Sequence, residues 1–405
     1  MYQFVEGGVC AAKGFLAAGV HCGIRKNQSK KDLALIYSQK RAAAAAIYTQ
    51  NKVKGAPLAV TKAHLADGMA QAVLCNSGNA NTCNADGVQI ANAMCAGAAA
   101  ALHIPEEDVV VASTGVIGQP LPVGPILAAL PGLAAALSES GSDAAGEAIR
   151  TTDLHEKQAA VQFTLGGKPC RVGGIAKGSG MIHPNMATML CFVTTDVAIS
   201  PAMLQKACKS VADDTFNMVS VDGDTSTNDM LSILANGMAG NDPIQKEGAA
   251  YDAFTQALYI VCRQLARGIA ADGEGATKLL ECVVEGAPSQ PLARQVAKSI
   301  ICSNLVKTAM FGADANWGRV LCAIGYTPGE IDIGRVGVAF ASAAGRVEVC
   351  QGGAGIPFSE ELAKQVLSQP EVQILVDLAQ GPGTATAWGC DLTYDYVKIN
   401  GDYRT

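Results

Sequence analysis

Charge and aromatic rings are scarce in this sequence. Of 405 residues, 16% are Asp, Glu, Lys or Arg and 5% are Phe, Trp or Tyr, against 49% hydrophobic. That balance excludes a disordered chain, which needs little hydrophobicity and much charge. The net charge of −6 lacks the cationic excess that a polyanion demands, so no nucleic-acid partner is expected. Met1 to Gly8 shows no basic segment followed by an apolar one, so no secretory leader is expected. The most apolar stretch, Pro122 to Leu137, contains Pro125 and Pro131 and is too broken to span a bilayer. The 14 cysteines form no CxxC pair and no Cys/His cluster at zinc spacing. Free thiols in a reducing cytoplasm and no metal are therefore expected. The phosphate-loop pattern GxxxxGK[ST] is absent as well.

What is abundant is small: 44 glycines and long alanine-rich runs. They point to a dense globule in which backbones approach closely. Apolar runs alternate with helical stretches. Strands are expected at Asp32–Ser38, Ala72–Cys75, Asp108–Ala112 and Thr188–Thr195, the second running into the turn Asn76-Ser77-Gly78-Asn79. Helices are expected near 88–102, 126–137, 141–150, 201–213 and 249–269. Asn236 to Glu247 reads as a loop. Leu392, Tyr394 and Tyr396 alternate with polar neighbours and suggest a half-buried strand. The mixture indicates an α+β or α/β layered fold.

The densest motif is GIAKGSGMIHPNMATML, Gly174 to Leu190. A glycine-rich turn precedes Ala187, Thr188 and an apolar strand. A hydroxyl at a strand start suits self-cleavage by an N-to-O acyl shift. The freed Thr amine, with a pKa of about 8, is then a base for its own hydroxyl. The residues alone favour the plainer reading, a glycine-rich turn into a core strand. His183 is a candidate base, but a single histidine beside a proline-containing turn is more often structural or solvated. Asp222-Gly223-Asp224-Thr225-Ser226 hints at a calcium loop. Thr227 and Ile233 stand where such a loop needs Gly and Glu, which excludes it.

KGSGMIHPNMATML resembles the signature of the ornithine acetyltransferase family, and the resemblance spans essentially the whole chain. It continues in KGFLAAGVHCGI (Lys13–Ile24), SGNAN (Ser77–Asn81), ASTGVIGQ (Ala112–Gln119), TTD (Thr151–Asp153), SVDGDTSTND (Ser220–Asp229), DGEGATK (Asp272–Lys278), NWGR (Asn316–Arg319) and the terminal NGDYRT. The resemblance implies an α+β fold of the αββα-sandwich type with a smaller C-terminal lobe. It also implies cleavage at Ala187–Thr188 into an alpha chain, 1–187, and a beta chain, 188–405. These stay together as one intertwined unit in an α2β2 assembly.

Thr188 then matches the nucleophile, and Thr114 with Gly115 the oxyanion hole. Thr151, Lys177, Thr188, Glu274, Asn400 and Thr405 match substrate-binding positions, with Thr152 an alternative to Thr151. Ser226 and Asp229 are read as structural. The implied reaction moves acetyl from N2-acetylornithine to glutamate in arginine biosynthesis, with no cofactor. The family has two versions, of which one also takes acetyl from acetyl-CoA. A related self-cleaving aminopeptidase or amidohydrolase is the rival reading.

Overall fold

The computed structural model describes residues 1–183 and 189–402. Among them, two sheets of nine and seven strands organise the chain. The first sheet has the order Gln3–Val5, Lys157–Leu165, Lys168–Lys177, Leu190–Thr195, Met230–Ala235, Leu33–Tyr48, Met69–Asn76, Val109–Ser113. Phe15–Val20 also pairs with Leu33–Tyr48. The second runs Ala354–Gly355, Gly345–Gln351, Gly337–Ser342, Glu371–Asp377, Leu279–Ala287, Gly383–Cys390, Val219–Ser220. Parallel and antiparallel pairs mix in both, and helices pack on them in an α+β arrangement.

Leu190–Thr195 is buried at every position, and its run of apolar and β-branched residues suits a strand covered on both faces. On one side it pairs antiparallel with Lys168–Lys177, Lys177 opposite Leu190. On the other it pairs parallel with Met230–Ala235, Met230 opposite Leu190. Met230–Ala235 in turn pairs with Leu33–Tyr48. Strands from beyond residue 188 are thus inserted between strands from before it.

The long helix Ala249–Ala271 touches both sheets and shares a core with them: Val261, Leu265 and Ile269 join Val193, Ile233, Cys282 and Trp388. The opposite face of the first sheet is covered by Ser142–Ile149, where Ala145, Ala148 and Ile149 meet Ala44, Phe192 and Leu234. Small residues permit that approach: a Cβ on Gly19 would lie 2.0 Å from the Ala144 carbonyl oxygen. The helix Pro201–Asp214 starts where Ser200 Oγ accepts from Met203 N and Pro201 fills the first turn. Among the described residues, no helix is long and apolar enough to cross a membrane.

The expected strands and helices appear within a few residues, except that Leu33–Tyr48 extends far past Ser38, and Thr188 itself lies outside the described residues. The expected C-terminal strand is a correction: Tyr394–Asp402 is a helix. Thr393 Oγ1 accepts from Tyr396 N and caps it, while Tyr394 is 84% exposed, so the polar–apolar alternation recorded no buried face.

Ile233, fully buried at the centre of the first sheet, tests the shared core. Ile233→Ala should destabilise the protein by about 2–5 kcal/mol, measured as a lowered denaturant midpoint.

Candidate active site

Asp153 organises one wall of the site. Its Oδ1 accepts from Lys157 Nζ at 2.7 Å and Gly178 N at 2.6 Å, and its Oδ2 from Thr151 N at 3.1 Å. Burial alone would raise its pKa. Lys177 and Lys157, with the hydrogen bonds, overcome that and hold the carboxyl well below the usual range. Lys157 Nζ also donates to Asp272 Oδ2 at 2.6 Å, and Asp272 Oδ2 accepts from Leu154 N and His155 N. Lys177, the last residue of its strand, is 8% exposed. Its Nζ has no hydrogen-bond partner among the described residues.

The opposite wall is the turn after Val109–Ser113. Gly115 has φ +125°, and a Cβ there would sit 2.8 Å from the Gly78 carbonyl carbon, so only glycine fits. Asn76 builds the turn behind it: Oδ1 accepts from Gly78 N and Asn79 N, Nδ2 donates to Ser113 Oγ, and its carbonyl accepts from Thr114 N. Asn228 clamps the same turn from the far part of the chain. Its Nδ2 donates to the Ala80 and Ser113 carbonyls at 2.6 and 2.9 Å, while its Oδ1 accepts from Thr82 and Thr227 hydroxyls. The Thr114 hydroxyl and the Gly115 N–H have no partner among the described residues.

Glu274 closes the end of the cavity. Its N–H donates to the Ser179 carbonyl at 2.9 Å, and its Oε2 accepts from Asn400 Nδ2 at 2.9 Å. Gly180 leaves room for that carboxylate, since a Cβ there would lie 2.3 Å from Glu274 Oε2. The C-terminal helix that carries Asn400 is held by Tyr396, whose hydroxyl donates to Asp222 Oδ2 at 3.3 Å. Asp222 also accepts from Met181 N and Ile182 N.

Thr114, Gly115, Thr151, Lys177, Glu274 and Asn400, named from the sequence, therefore line one cavity of about 300 Å³. Ala187, Thr188 and Thr405 lie outside the described residues. A larger groove of about 740 Å³ beside Lys206 and Tyr251 holds none of these residues. Thr152 also lines the cavity, but its hydroxyl is engaged with Ser179 Oγ at 2.7 Å, whereas Thr151 Oγ1 has no partner among the described residues. Ser226 reaches the cavity too, together with Thr227 and Asn228, which sequence reading missed. Their signal was the polar run SVDGDTSTND ahead of a buried strand. His183 lies outside the cavity, its Nδ1 3.1 Å from Ser220 Oγ; burial, with Lys298 adding, lowers its pKa to about 4.

The buried cation of Lys177, the carboxylate of Glu274 and the Thr114/Gly115 donors thus line one cavity of about 300 Å³. The ArgJ family model matches residues 16–405, and the chain belongs to the ArgJ family. It is 50% identical over 404 residues, the full length of both, to the "Arginine biosynthesis bifunctional protein ArgJ" of Caldanaerobacter subterraneus. It is 51% identical over 405 residues, again the full length of both, to the protein of that name from Symbiobacterium thermophilum. The crystal structure of the arginine biosynthesis bifunctional protein argJ from Bacillus halodurans is 47% identical with a TM-score of 0.50, covering 53% of this chain and 100% of that one.

Thr114→Ala should lower acyl transfer about a hundredfold in a steady-state assay, the usual loss of one oxyanion donor. Asp153→Asn should cost about 3 kcal/mol of stability at neutral pH, because Lys177 loses its buried counter-charge and Lys157 is left with Asp272 alone. The native carboxyl is held below its ordinary value. Its contribution is therefore present above about pH 4 and lost as pH falls further. The melting-temperature gap between wild type and Asp153→Asn should shrink from pH 7 to pH 3.

Proposed function

We propose that the chain cuts itself between Ala187 and Thr188 and then uses Thr188 to move acetyl from N2-acetylornithine to glutamate. The observation that carries this reading is the single cavity joining the Thr114/Gly115 donors to Lys177 and Glu274. In the first reaction Thr188 Oγ attacks the Ala187 carbonyl carbon. The C–N bond breaks as the ester forms, and water hydrolyses the ester to a carboxylate and a free Thr188 amine. A solved relative whose entire chain corresponds to 53% of this one is close to the share that residues 188–405 represent.

In the second reaction the Thr188 amine takes the proton from its own hydroxyl, and Oγ attacks the acetyl carbonyl. Thr114 Oγ1 and Gly115 N bind the oxygen as it becomes negative. The amine returns the proton to the departing ornithine nitrogen, leaving an acetyl ester on Thr188. The glutamate amine attacks that ester and the hydroxyl is restored. Lys177 and the Thr151 hydroxyl hold the α-carboxylate common to both substrates. Glu274 suits the ornithine ammonium, and the Asn400 amide serves either end group, having both donors and an acceptor. Thr405 completes the substrate contacts in this reading.

The chain works as an acetyltransferase of arginine biosynthesis. Its relatives are named bifunctional, which supports acetyl-CoA as a second donor for glutamate. The steps need no metal or organic cofactor. Two copies of each fragment form an α2β2 assembly in the cytoplasm in this proposal.

The test uses purified full-length protein. Intact mass should show fragments 1–187 and 188–405 for wild type and Thr188→Ser, and an uncut chain for Thr188→Ala. N2-acetylornithine alone should release one equivalent of ornithine per site and leave acetyl on the second fragment. Glutamate should then discharge it as N-acetylglutamate faster than water does, since the amine is held at high effective concentration. Acetate as the main product at saturating glutamate would replace the transferase with a hydrolase.

A further inference from the structure

Asn228 lines the cavity yet has nothing left to offer a ligand. It is 5% exposed, and an amide side chain has two donor and two acceptor positions. Nδ2 faces the Ala80 and Ser113 carbonyls at 2.6 and 2.9 Å. Carbonyls only accept, so the amide nitrogen is the atom that points at them. Oδ1 accepts from the Thr82 and Thr227 hydroxyls, each at 2.6 Å. All four positions are filled. Side chains of similar size cannot reproduce that set, since an aspartate has no amide donors and a leucine has neither donor nor acceptor. The fit is also close from outside: a Cβ on Gly55 would lie 2.5 Å from Asn228 Nδ2.

The two carbonyl partners bracket the Thr114–Gly115 turn. The Ser113 carbonyl belongs to the peptide unit that joins Ser113 to Thr114. The N–H of the same unit, on Thr114, donates to the Asn76 carbonyl at 2.9 Å. A peptide unit is planar, so holding its oxygen and its N–H fixes the plane from which Thr114 projects. On the far side, Val116 follows Gly115 directly. Its carbonyl accepts from Ala80 N at 2.9 Å, and Ala80 is the residue whose carbonyl Asn228 also holds. One amide thus grips the chain just before Thr114 and the partner of the chain just after Gly115. Asn228 is itself held in place. It stands two residues ahead of Met230–Ala235, and the intervening Asp229 carbonyl accepts from Thr49 N at 3.1 Å.

We propose that Asn228 is a positioning residue for acyl transfer: through the Ser113 and Ala80 carbonyls it sets the direction of the Thr114 hydroxyl and the Gly115 N–H. The inference rests on the reading that those two groups bind the oxygen of the reacting carbonyl. Asn228 touches neither substrate nor reacting atoms in this role. Full negative charge on that oxygen develops only at the transition state, so a slack turn should lower kcat and leave KM nearly intact.

The test compares wild type, Asn228→Asp, Asn228→Ala, Thr114→Ala and the Asn228→Asp/Thr114→Ala double variant as full-length proteins. Melting temperatures are recorded, and rates are expressed per cut chain, counted by intact mass. Asn228→Asp keeps the size and the acceptors but loses the amide donors. It and Asn228→Ala should each lose about a hundredfold in kcat for N2-acetylornithine, with KM within about threefold. The double variant should stay within about threefold of the slower single variant, because both changes disable one turn, whereas independent sites would multiply their losses. Wild-type kcat in either Asn228 variant, a change confined to KM, or multiplied losses in the double variant would each overturn the proposal. So would an Asn228 variant that folds and stays uncut, which would place the residue in maturation instead. Should neither Asn228 variant fold, Thr82→Val decides, since it keeps the volume and removes one of the two hydroxyls that orient Oδ1. A loss of about tenfold in its kcat at unchanged KM, the worth of one such hydrogen bond, supports the role, and an unchanged kcat ends it. Wild-type turnover in Thr114→Ala would remove the oxyanion reading itself, a result separate from a slow Thr114→Ala beside an unaffected Asn228→Asp.

Discussion

The carboxylate of Asp153, sealed from water between two lysines, is the contact on which the site depends. Through it the Thr151 backbone, the Gly178 turn and Lys157 are tied together, and Lys157 carries the link to Asp272 at the end of Ala249–Ala271. Two residues further on, Glu274 is pinned to Ser179. One network therefore sets the spacing between Thr151, Lys177 and Glu274, which come from three separate stretches of chain. Buried ions cost more than they return unless each lone pair and proton is used. Here both Asp153 oxygens are used and Lys157 meets two carboxylates. Lys177 is the exception, a cation inside the field of Asp153 whose Nζ has no hydrogen-bond partner among the described residues.

The way the first sheet is threaded explains how a chain can lose a peptide bond at residue 187 and keep its shape. Leu190–Thr195 and Met230–Ala235 are both hydrogen-bonded to strands that precede residue 188, where the proposed cut falls. The cavity is divided in the same way: Thr114, Gly115, Thr151 and Lys177 lie before residue 188, and Ser226, Asn228, Glu274 and Asn400 after it. Asn228 makes the division a strength, because it holds the Ser113 and Ala80 carbonyls of the earlier part with donors from the later one. Separating the parts would strand these buried groups without partners, a larger penalty than any single bond gained in forming them.

Much of this was legible in the sequence because glycine and motif spacing carry geometric information. Gly115 was reached through the STG motif, and its φ of +125° shows why that place needs glycine. The cavity residues were reached through family motifs, since composition alone could not bring Thr114 and Glu274 together. Other features had no local signal. The run Ala42–Ala46 has the strongest helix propensity in the alphabet, yet it lies in Leu33–Tyr48. Its small side chains let helices approach both faces of the sheet: Ala44 packs with Ala148 on one side, and Ala45 shares the other with Leu204 and Val211. Packing overrides propensity there. Asn76 and Asn228 look like ordinary turn residues in sequence, and only the fold shows that they build one turn from two directions. The C-terminal helix misled for the opposite reason, since its apolar residues face outward.

Scarcity of charge acquires a meaning once the site is assembled. With 16% of residues charged, the chain nevertheless buries Asp153, Lys157, Lys177, Asp229 and Asp272 in one neighbourhood. A low-dielectric interior strengthens each of their interactions and makes each unpaired group costly, so their number is limited by how completely they can be satisfied. The surrounding alanines and glycines bring strands and helices close enough for backbone N–H groups to do that satisfying, as Gly178, Leu154 and His155 do for the two aspartates. Small residues and few charges are two sides of one arrangement. Close backbones supply the dipoles that let a few buried ions stand in fixed positions. Fixed positions put Lys177, Glu274, Thr114 and Gly115 around one cavity, which is the arrangement the proposed acyl transfer uses.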